Sequence, residues 1–127
     1  MGADTNAINW FEIPATDIER ATKFYEQAFD IQLHKGEFGN MKMNSFPSDA
    51  MQGKLGGAVV QSPMHHPSPT GPVIYLNGNP DLQHVLDRIP AAGGKILMPK
   101  TLITDEIGYM AFFTDTEGNN IGLHSSK

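Results

Sequence analysis

The repeated order of predicted elements most constrains what this chain can fold into. Each half reads as a strand, a helix and three further short strands, a β-α-β-β-β pattern that occurs twice. Both helices open on an aspartate, Asp17 and Asp81, and the resulting offset of 64 residues places Ile18 on Leu82. One helix covers only one face of a sheet, so the uncovered faces must meet each other or the same surface of another chain.

In the first half, a capping box predicts where the helix begins. Thr16 stands at the cap position and Glu19 follows three residues later. Apolar residues then recur at three- and four-residue spacing, which predicts a helix to about Asp30. Short apolar or alternating runs between glycines and prolines predict strands at 8–13, 31–34, 40–46 and 55–61.

In the second half, Asn79-Pro80-Asp81 predicts a cap with proline at the first helical position. Pro90 is expected to bend or end this helix because it lacks a backbone N–H, and Gly93-Gly94 supplies a stop. Strands are predicted at 73–76, 95–98, 108–114 and 120–124. We therefore predict one α+β domain over 1–127, with module one at about 7–62, a polar linker at about 63–71 and module two at about 72–127.

Composition excludes several classes of partner and chemistry. The net charge is −5, only nine residues are Lys or Arg, and no basic run is present, so neither nucleic acid nor an anionic membrane is expected. The chain has no cysteine, which removes disulfides, thiolate metal sites and a cysteine nucleophile. No secretory signal or membrane-spanning apolar run is visible, and we expect a soluble, cytoplasmic protein.

Three segments resemble one known superfamily. In IPATDIERATKFYEQAF, Asp17 opens the helix and Phe24-Tyr25 follows seven residues later, as in vicinal-oxygen-chelate proteins. FTDTEGNNIGL resembles the closing hairpin of that superfamily, and AAGGKILMPKT resembles the end of its second helix and the next strand. The resemblance is strongest to the glyoxalase and bleomycin-resistance branch, among small proteins related to lactoylglutathione lyase.

The resemblance implies two tandem βαβββ modules that form a curled mixed sheet, often completed across a homodimer. It also implies a divalent metal inside the resulting cup, which polarises vicinal oxygens of the substrate. The metal ligands of such proteins lie on the first and last strands of each module. The matching positions here are Trp10, Ala58, Ile74 (or Tyr75 after a one-residue shift) and Gly122.

None of these residues is a histidine, aspartate or glutamate, and the indole N–H of Trp10 is only a donor. We therefore expect no cofactor at the usual site. Glu12 lies two residues after Trp10, and His124 lies two after Gly122, so each shares the cup-facing side of its strand. Together they are a candidate acid–base pair or a displaced metal site, or else solvated groups at the rim of the cup.

The candidate ligand-binding residues are Trp10, Glu12, Tyr75, Met110, Phe112 and His124. Tyr109 and Phe113 should face the opposite side of their strand from Met110 and Phe112. His65-His66 is flanked by proline and serine, which predicts a flexible loop rather than a metal site.

Three functions remain open at this stage. The first is metal-independent binding of an aromatic or amphipathic small molecule. The second is a lyase, isomerase or dioxygenase with a changed site around Glu12 and His124. The third is a scaffold for contacts with other proteins, because fold alone does not determine function.

Overall fold

A computed structural model describes all 127 residues, Met1–Lys127, and confirms the predicted α+β repeat. Each module contributes one strand, one helix and three more strands. The elements are β1 (Trp10–Pro14), α1 (Ile18–Phe29), β2 (His34–Phe38), β3 (Met41–Ser45), β4 (Gly56–Gln61), β5 (Tyr75–Asn77), α2 (Gln83–Ala92), β6 (Lys95–Thr104), β7 (Gly108–Thr114) and β8 (Asn120–Ser125). The two mixed sheets have the orders β1-β4-β3-β2 and β5-β8-β7-β6, and neither is closed.

Asp17, rather than Thr16, caps α1. The Asp17 carboxylate accepts a hydrogen bond from the backbone N–H of Arg20, whereas the backbone N–H of Thr16 donates to the side chain of Glu117. The predicted capping box is therefore wrong by one residue, because a side chain from the other module occupies the place of a local partner. The helix ends at Phe29, with Asp30 in the left-handed region, close to the predicted end.

The start of α2 also differs from the prediction. The helix begins at Gln83, and the turn before it contains a cis Asn79–Pro80 peptide bond. Pro90 lies inside the helix, which continues to Ala92, so of the two predicted outcomes, a bend or an end, the helix does not end there. Pro90 lies in the last turn, where its missing N–H removes only one helical hydrogen bond. Gly93, with a φ of 106°, ends the helix as predicted.

Several strand boundaries move. The segment predicted as a strand at 31–34 is not one, because β2 begins only at His34. Leu33 and Ile31 pack against the core instead of joining the ladder. β6 extends to Thr104, well beyond the predicted 98, because its pairing with β7 continues through three register shifts. These shifts are bulges, which sequence periodicity does not reveal.

The core lies between the two helices and one face of each sheet. Phe24 of α1 packs on Phe113 of β7, with ring centroids 5.8 Å apart, so the first helix also covers part of the second sheet. On the opposite side of β7, Phe112 packs on Tyr75, with centroids 5.6 Å apart, which confirms the predicted division of β7 into two faces. Neither helix has the length and hydropathy needed to cross a membrane. We call the side of each sheet opposite the helices the helix-free face.

Candidate functional site

The residues at the family's metal-ligand positions lie on the helix-free face. Trp10 is opposite Gly56 in the ladder of module one, and Ala58 is opposite Glu12. In module two, Tyr75 pairs with Gly122. Ile74 packs against the core cluster instead, so Tyr75 is the residue of this strand that faces the site.

This donor set does not fit the divalent metal that the fold family implies. An indole, a methyl group and a glycine offer no ligand atom, and the Tyr75 phenol is the only oxygen among the four positions. No group of three histidine, cysteine, aspartate or glutamate residues lies close enough together to hold a metal ion. A metal site in a protein requires about three or four converging nitrogen, oxygen or sulfur ligands.

Tyr75 occupies the space that a ligand side chain at position 122 would need. A Cβ atom built on Gly122 would lie 2.7 Å from a carbon of the Tyr75 ring, which is closer than real Cβ contacts. The Tyr75 ring also packs against the Phe112 ring, with centroids 5.6 Å apart. The glycine and the tyrosine are therefore a matched pair, because the tyrosine ring fits only where residue 122 has no side chain.

Four of the six predicted site residues form one group on module two. Tyr75 contacts Phe112, and Met110 stands opposite His124 in the β7–β8 ladder. The His124 ring nitrogen Nε2 lies 2.7 Å from the carbonyl oxygen of Ile107, so it donates a hydrogen bond there. Tyr75 and His124 line one shallow surface pocket of about 500 Å³.

The other two, Trp10 and Glu12, lie on β1 and share a hydrogen-bond network with the linker. The indole nitrogen of Trp10 donates to one Glu12 oxygen over 3.2 Å, and Nε2 of His65 lies 2.8 Å from the other. The second His65 nitrogen, Nδ1, is 2.6 Å from the Ser62 hydroxyl. His65 is thus fixed over module one, whereas its sequence context indicated only a flexible loop.

Glu12 and His124 line separate pockets. Glu12 faces a pocket of about 280 Å³ walled by linker residues and the start of β8, whereas His124 faces the pocket beside Tyr75. The imidazole partner of Glu12 is His65. Sequence reasoning missed this partner because the linker has no periodicity. The only available signal was the three-residue spacing from Ser62 to His65, which a tight turn closes through the Ser62 carbonyl.

The turn between β7 and β8, residues 115–119, carries the family-like motif, and we call it the closing turn. Asp115 is buried, and one of its oxygens accepts the Tyr25 hydroxyl over 2.6 Å. The other oxygen accepts the backbone N–H groups of Glu117 and Asn119. The Asn119 amide also donates to the carbonyl oxygen of Pro14 in module one. Burial, together with the nearby Asp115 carboxylate, holds the pKa of Tyr25 well above its ordinary value.

Glu117 connects the same turn to the first turn of α1. Its Oε1 accepts the backbone N–H groups of Thr16 and Asp17, and Arg20 makes two hydrogen bonds to the carboxylate, at 2.7 and 3.0 Å. Burial alone would raise the pKa of Glu117. The hydrogen bonds from Arg20, Asp17 and Thr116 outweigh this effect and hold the pKa below its ordinary value. The closing turn is therefore held to module one by several hydrogen bonds and an ion pair.

Sequence comparison agrees with this fold and motif. The family model described as the Glyoxalase/Bleomycin resistance protein/Dioxygenase superfamily matches residues 7–123. The chain belongs to that superfamily. A glyoxylase-like domain-containing protein of Didymella fabae is 33% identical over 117 residues, with 88% of each chain covered.

Longer relatives contain this unit as a part. CFP32 of Mycobacterium bovis, which is provisionally named a glyoxylase, is 30% identical over 121 residues. The match covers 91% of this chain but only 44% of that protein. Among solved structures, a glyoxalase-related enzyme from Fulvimarina pelagi superposes with a TM-score of 0.67 at 13% identity, covering 95% of this chain and 88% of the other. At that identity the likeness concerns the fold alone.

Proposed function

We propose that this protein binds a small aromatic or amphipathic molecule on its helix-free face, without a resident metal. One observation carries the proposal. Trp10 and Tyr75, on the first strands of the two modules, are 45% and 49% exposed at positions where relatives of this fold would place metal ligands. Exposed aromatic side chains on one face of a sheet supply contact area and stacking surfaces.

Polar and adaptable groups next to these aromatics would orient the ligand. Glu12 adjoins Trp10, and His124 shares a pocket with Tyr75, so each aromatic has a hydrogen-bonding neighbour. Met110 is unbranched and adapts to varied ligand shapes. Phe112 braces Tyr75, which limits the entropy that the tyrosine loses on binding.

The single tryptophan makes the proposal directly testable. Trp10 fluorescence should change saturably when a panel of aromatic metabolites and antibiotics is titrated into the protein. Calorimetry on the compounds that respond should then show at least tenfold weaker binding for Trp10→Ala and for Tyr75→Ala. Phe38→Ala is the matched control, because Phe38 is an exposed aromatic on the edge strand β2. An equal loss of affinity with Phe38→Ala, or no saturable fluorescence response from any compound, would contradict the proposal.

The Glu12–His65 contact favours an enzyme as a second candidate. The Glu12 carboxylate holds Nε2 of His65. The other nitrogen, Nδ1, lies next to the Ser62 hydroxyl and is the one that would accept a proton in general-base catalysis. In lyase, isomerase and dioxygenase assays, His65→Ala should then lower kcat by at least about a hundredfold, the range typical of a lost general base. His66→Ala is the control, since the imidazole of His66 is exposed and makes no hydrogen bond. A loss of kcat with His124→Ala but not with His65→Ala would contradict this candidate and would place the catalytic base on module two.

We also propose that the protein is a homodimer, through exposed aliphatic residues on the edge strand β6 and the turn after it. These include Leu97, Leu102, Ile103 and Ile107. Leu102→Glu should convert the dimer to a monomer in sedimentation velocity, whereas Met51→Glu, at a more exposed position in the β3–β4 connection, should not. The cytoplasm is the proposed location, which fractionation of cells expressing the protein would test.

A further inference from the structure

A cavity of about 440 Å³ lies at the junction of the two modules, on the side of β1 opposite Glu12 and Trp10. Its apolar walls include Phe11, Phe29 and Phe46 of module one, and Leu76 of module two. The first turns of α2 and residues 77–80 before it complete the lining. Cavities of this size commonly hold small molecules, and the mix of aromatic walls with a few polar groups is typical of such sites.

The charge of this cavity is opposite to that of the protein. The lining contains Arg88 and His84 and no aspartate or glutamate, although the chain carries a net charge of −5. Arg88 is half-buried, and its Nε donates to the carbonyl oxygen of Ala28 over 2.8 Å. It makes no ion pair. The only other arginine of the chain, Arg20, has its guanidinium engaged by the Glu117 carboxylate.

We propose that this cavity binds a small monocarboxylic acid with an aromatic or branched apolar body. The apolar body would lie between the phenylalanine rings, and the carboxylate would accept hydrogen bonds from the terminal nitrogens of Arg88. Those nitrogens have no partner within the chain. A guanidinium fork binds a carboxylate through two parallel hydrogen bonds, which a compact ammonium group does not provide. A half-buried cation without a counter-charge also favours an anionic ligand over a neutral or cationic one.

Phenylacetate and its uncharged analogue phenylacetamide are suitable probes, because they share the apolar body and differ in charge. Titration of the ¹⁵N-labelled protein with phenylacetate should shift the amide resonances of His84, Val85 and Arg88 saturably. Phenylacetamide should bind at least tenfold more weakly. Arg88→Gln should weaken phenylacetate at least tenfold and leave phenylacetamide unchanged. Lys23→Gln, the same charge change on the exposed surface of α1, should affect neither probe.

A second variant guards against a folding defect, since Arg88→Gln also removes the hydrogen bond to Ala28. Leu55→Trp places a larger side chain at the cavity wall and leaves Arg88 intact, and it should weaken both probes. Equal affinity for the two probes, or equal effects of the Arg88 and Lys23 changes, would overturn the proposal. So would an absence of binding at millimolar phenylacetate. Shifts centred on Tyr75 and His124 would overturn it as well, and would instead support the ligand site proposed for the helix-free face.

Discussion

The contact between the modules has two ends, and they are built from equivalent parts. At one end, the closing turn at 115–119 meets the start of α1. At the other, residues of the β3–β4 connection at 46–55 line the junction cavity together with the first turns of α2. We call them the locked end and the cavity end. In each case the link between the third and fourth strands of one module faces the helix start of the other.

The two ends differ in how much hydrogen bonding joins the modules. The five-residue closing turn contributes two carboxylates that accept backbone N–H groups of both modules, and an amide that donates to a backbone carbonyl of module one. The ten-residue connection contributes no such contacts: the Asp49 side chain makes no hydrogen bond there, and Met51 is exposed. Because nothing closes the cavity end, space for a ligand remains.

The largest predicted effect is at the centre of the locked end. Asp115→Ala should lower the free energy of unfolding by about 3–5 kcal/mol, because it leaves the Tyr25 hydroxyl and buried N–H groups without their acceptor. Asp49→Ala, at the cavity end, should change it by less than about 0.5 kcal/mol. Urea unfolding of both variants makes the comparison. Equal losses would contradict the division between the ends.

Glu117→Gln should cost about 1–3 kcal/mol at neutral pH, since hydrogen bonds to a charged acceptor are lost. The native pKa lies below the ordinary value of 4.5, so this stabilisation is present above pH 4.5 and is lost as the pH falls further. Urea titrations between neutral and acidic pH should therefore show a smaller acid-dependent loss in the variant. Glu106→Gln, an exposed carboxyl without a hydrogen bond, is the control and should keep the wild-type profile.

Tyr25→Phe should cost less, about 0.5–1.5 kcal/mol, because Asp115 retains its other donors. The pKa of Tyr25 is raised above 10.0, so its contribution is complete below pH 10 and disappears as the pH rises through the higher native value. The phenylalanine variant should therefore lose less stability than wild type in alkaline solution. Tyr109→Phe should reproduce the wild-type alkaline loss, and a Tyr25 variant that did the same would contradict this account.

The smallest effect is expected at the mouth of the cavity. His84→Ala should change the free energy of unfolding by less than about 0.5 kcal/mol, since the side chain is exposed and makes no hydrogen bond. A loss as large as that of Glu117→Gln would mean that the cavity end also carries stability. Urea unfolding of the His84→Ala and Glu117→Gln variants gives both free energies.

The sequence predicted the repeat and the helix-covered faces because both follow from local periodicity. It placed the cap of α1 at Thr16, because a contact between the modules determines that detail. Asp17 caps α1 while Glu117, a hundred residues away, takes the neighbouring N–H groups. Glu117 is not visible within a window of a few residues around the start of α1.

The candidate site was predictable in part. The resemblance to the superfamily assigned Trp10 to a ligand position, and the strand register selects Tyr75 over Ile74. The contact of Glu12 with His65 and the cavity beside Arg88 both require knowing how the linker and α2 fold back. No pattern within a single element encodes such contacts.

The edge strand β6 has one further consequence, for the protein's behaviour at high concentration. It is the longest strand, it carries exposed aliphatic residues, and such an edge invites another chain to extend the sheet. Pro99 lies between Met98 and Thr101, at one of the three breaks in its pairing with β7. A proline and irregular spacing make the free edge a poor template for added strands. The strand can thus expose an apolar surface to a partner while its own backbone resists growth into fibrils.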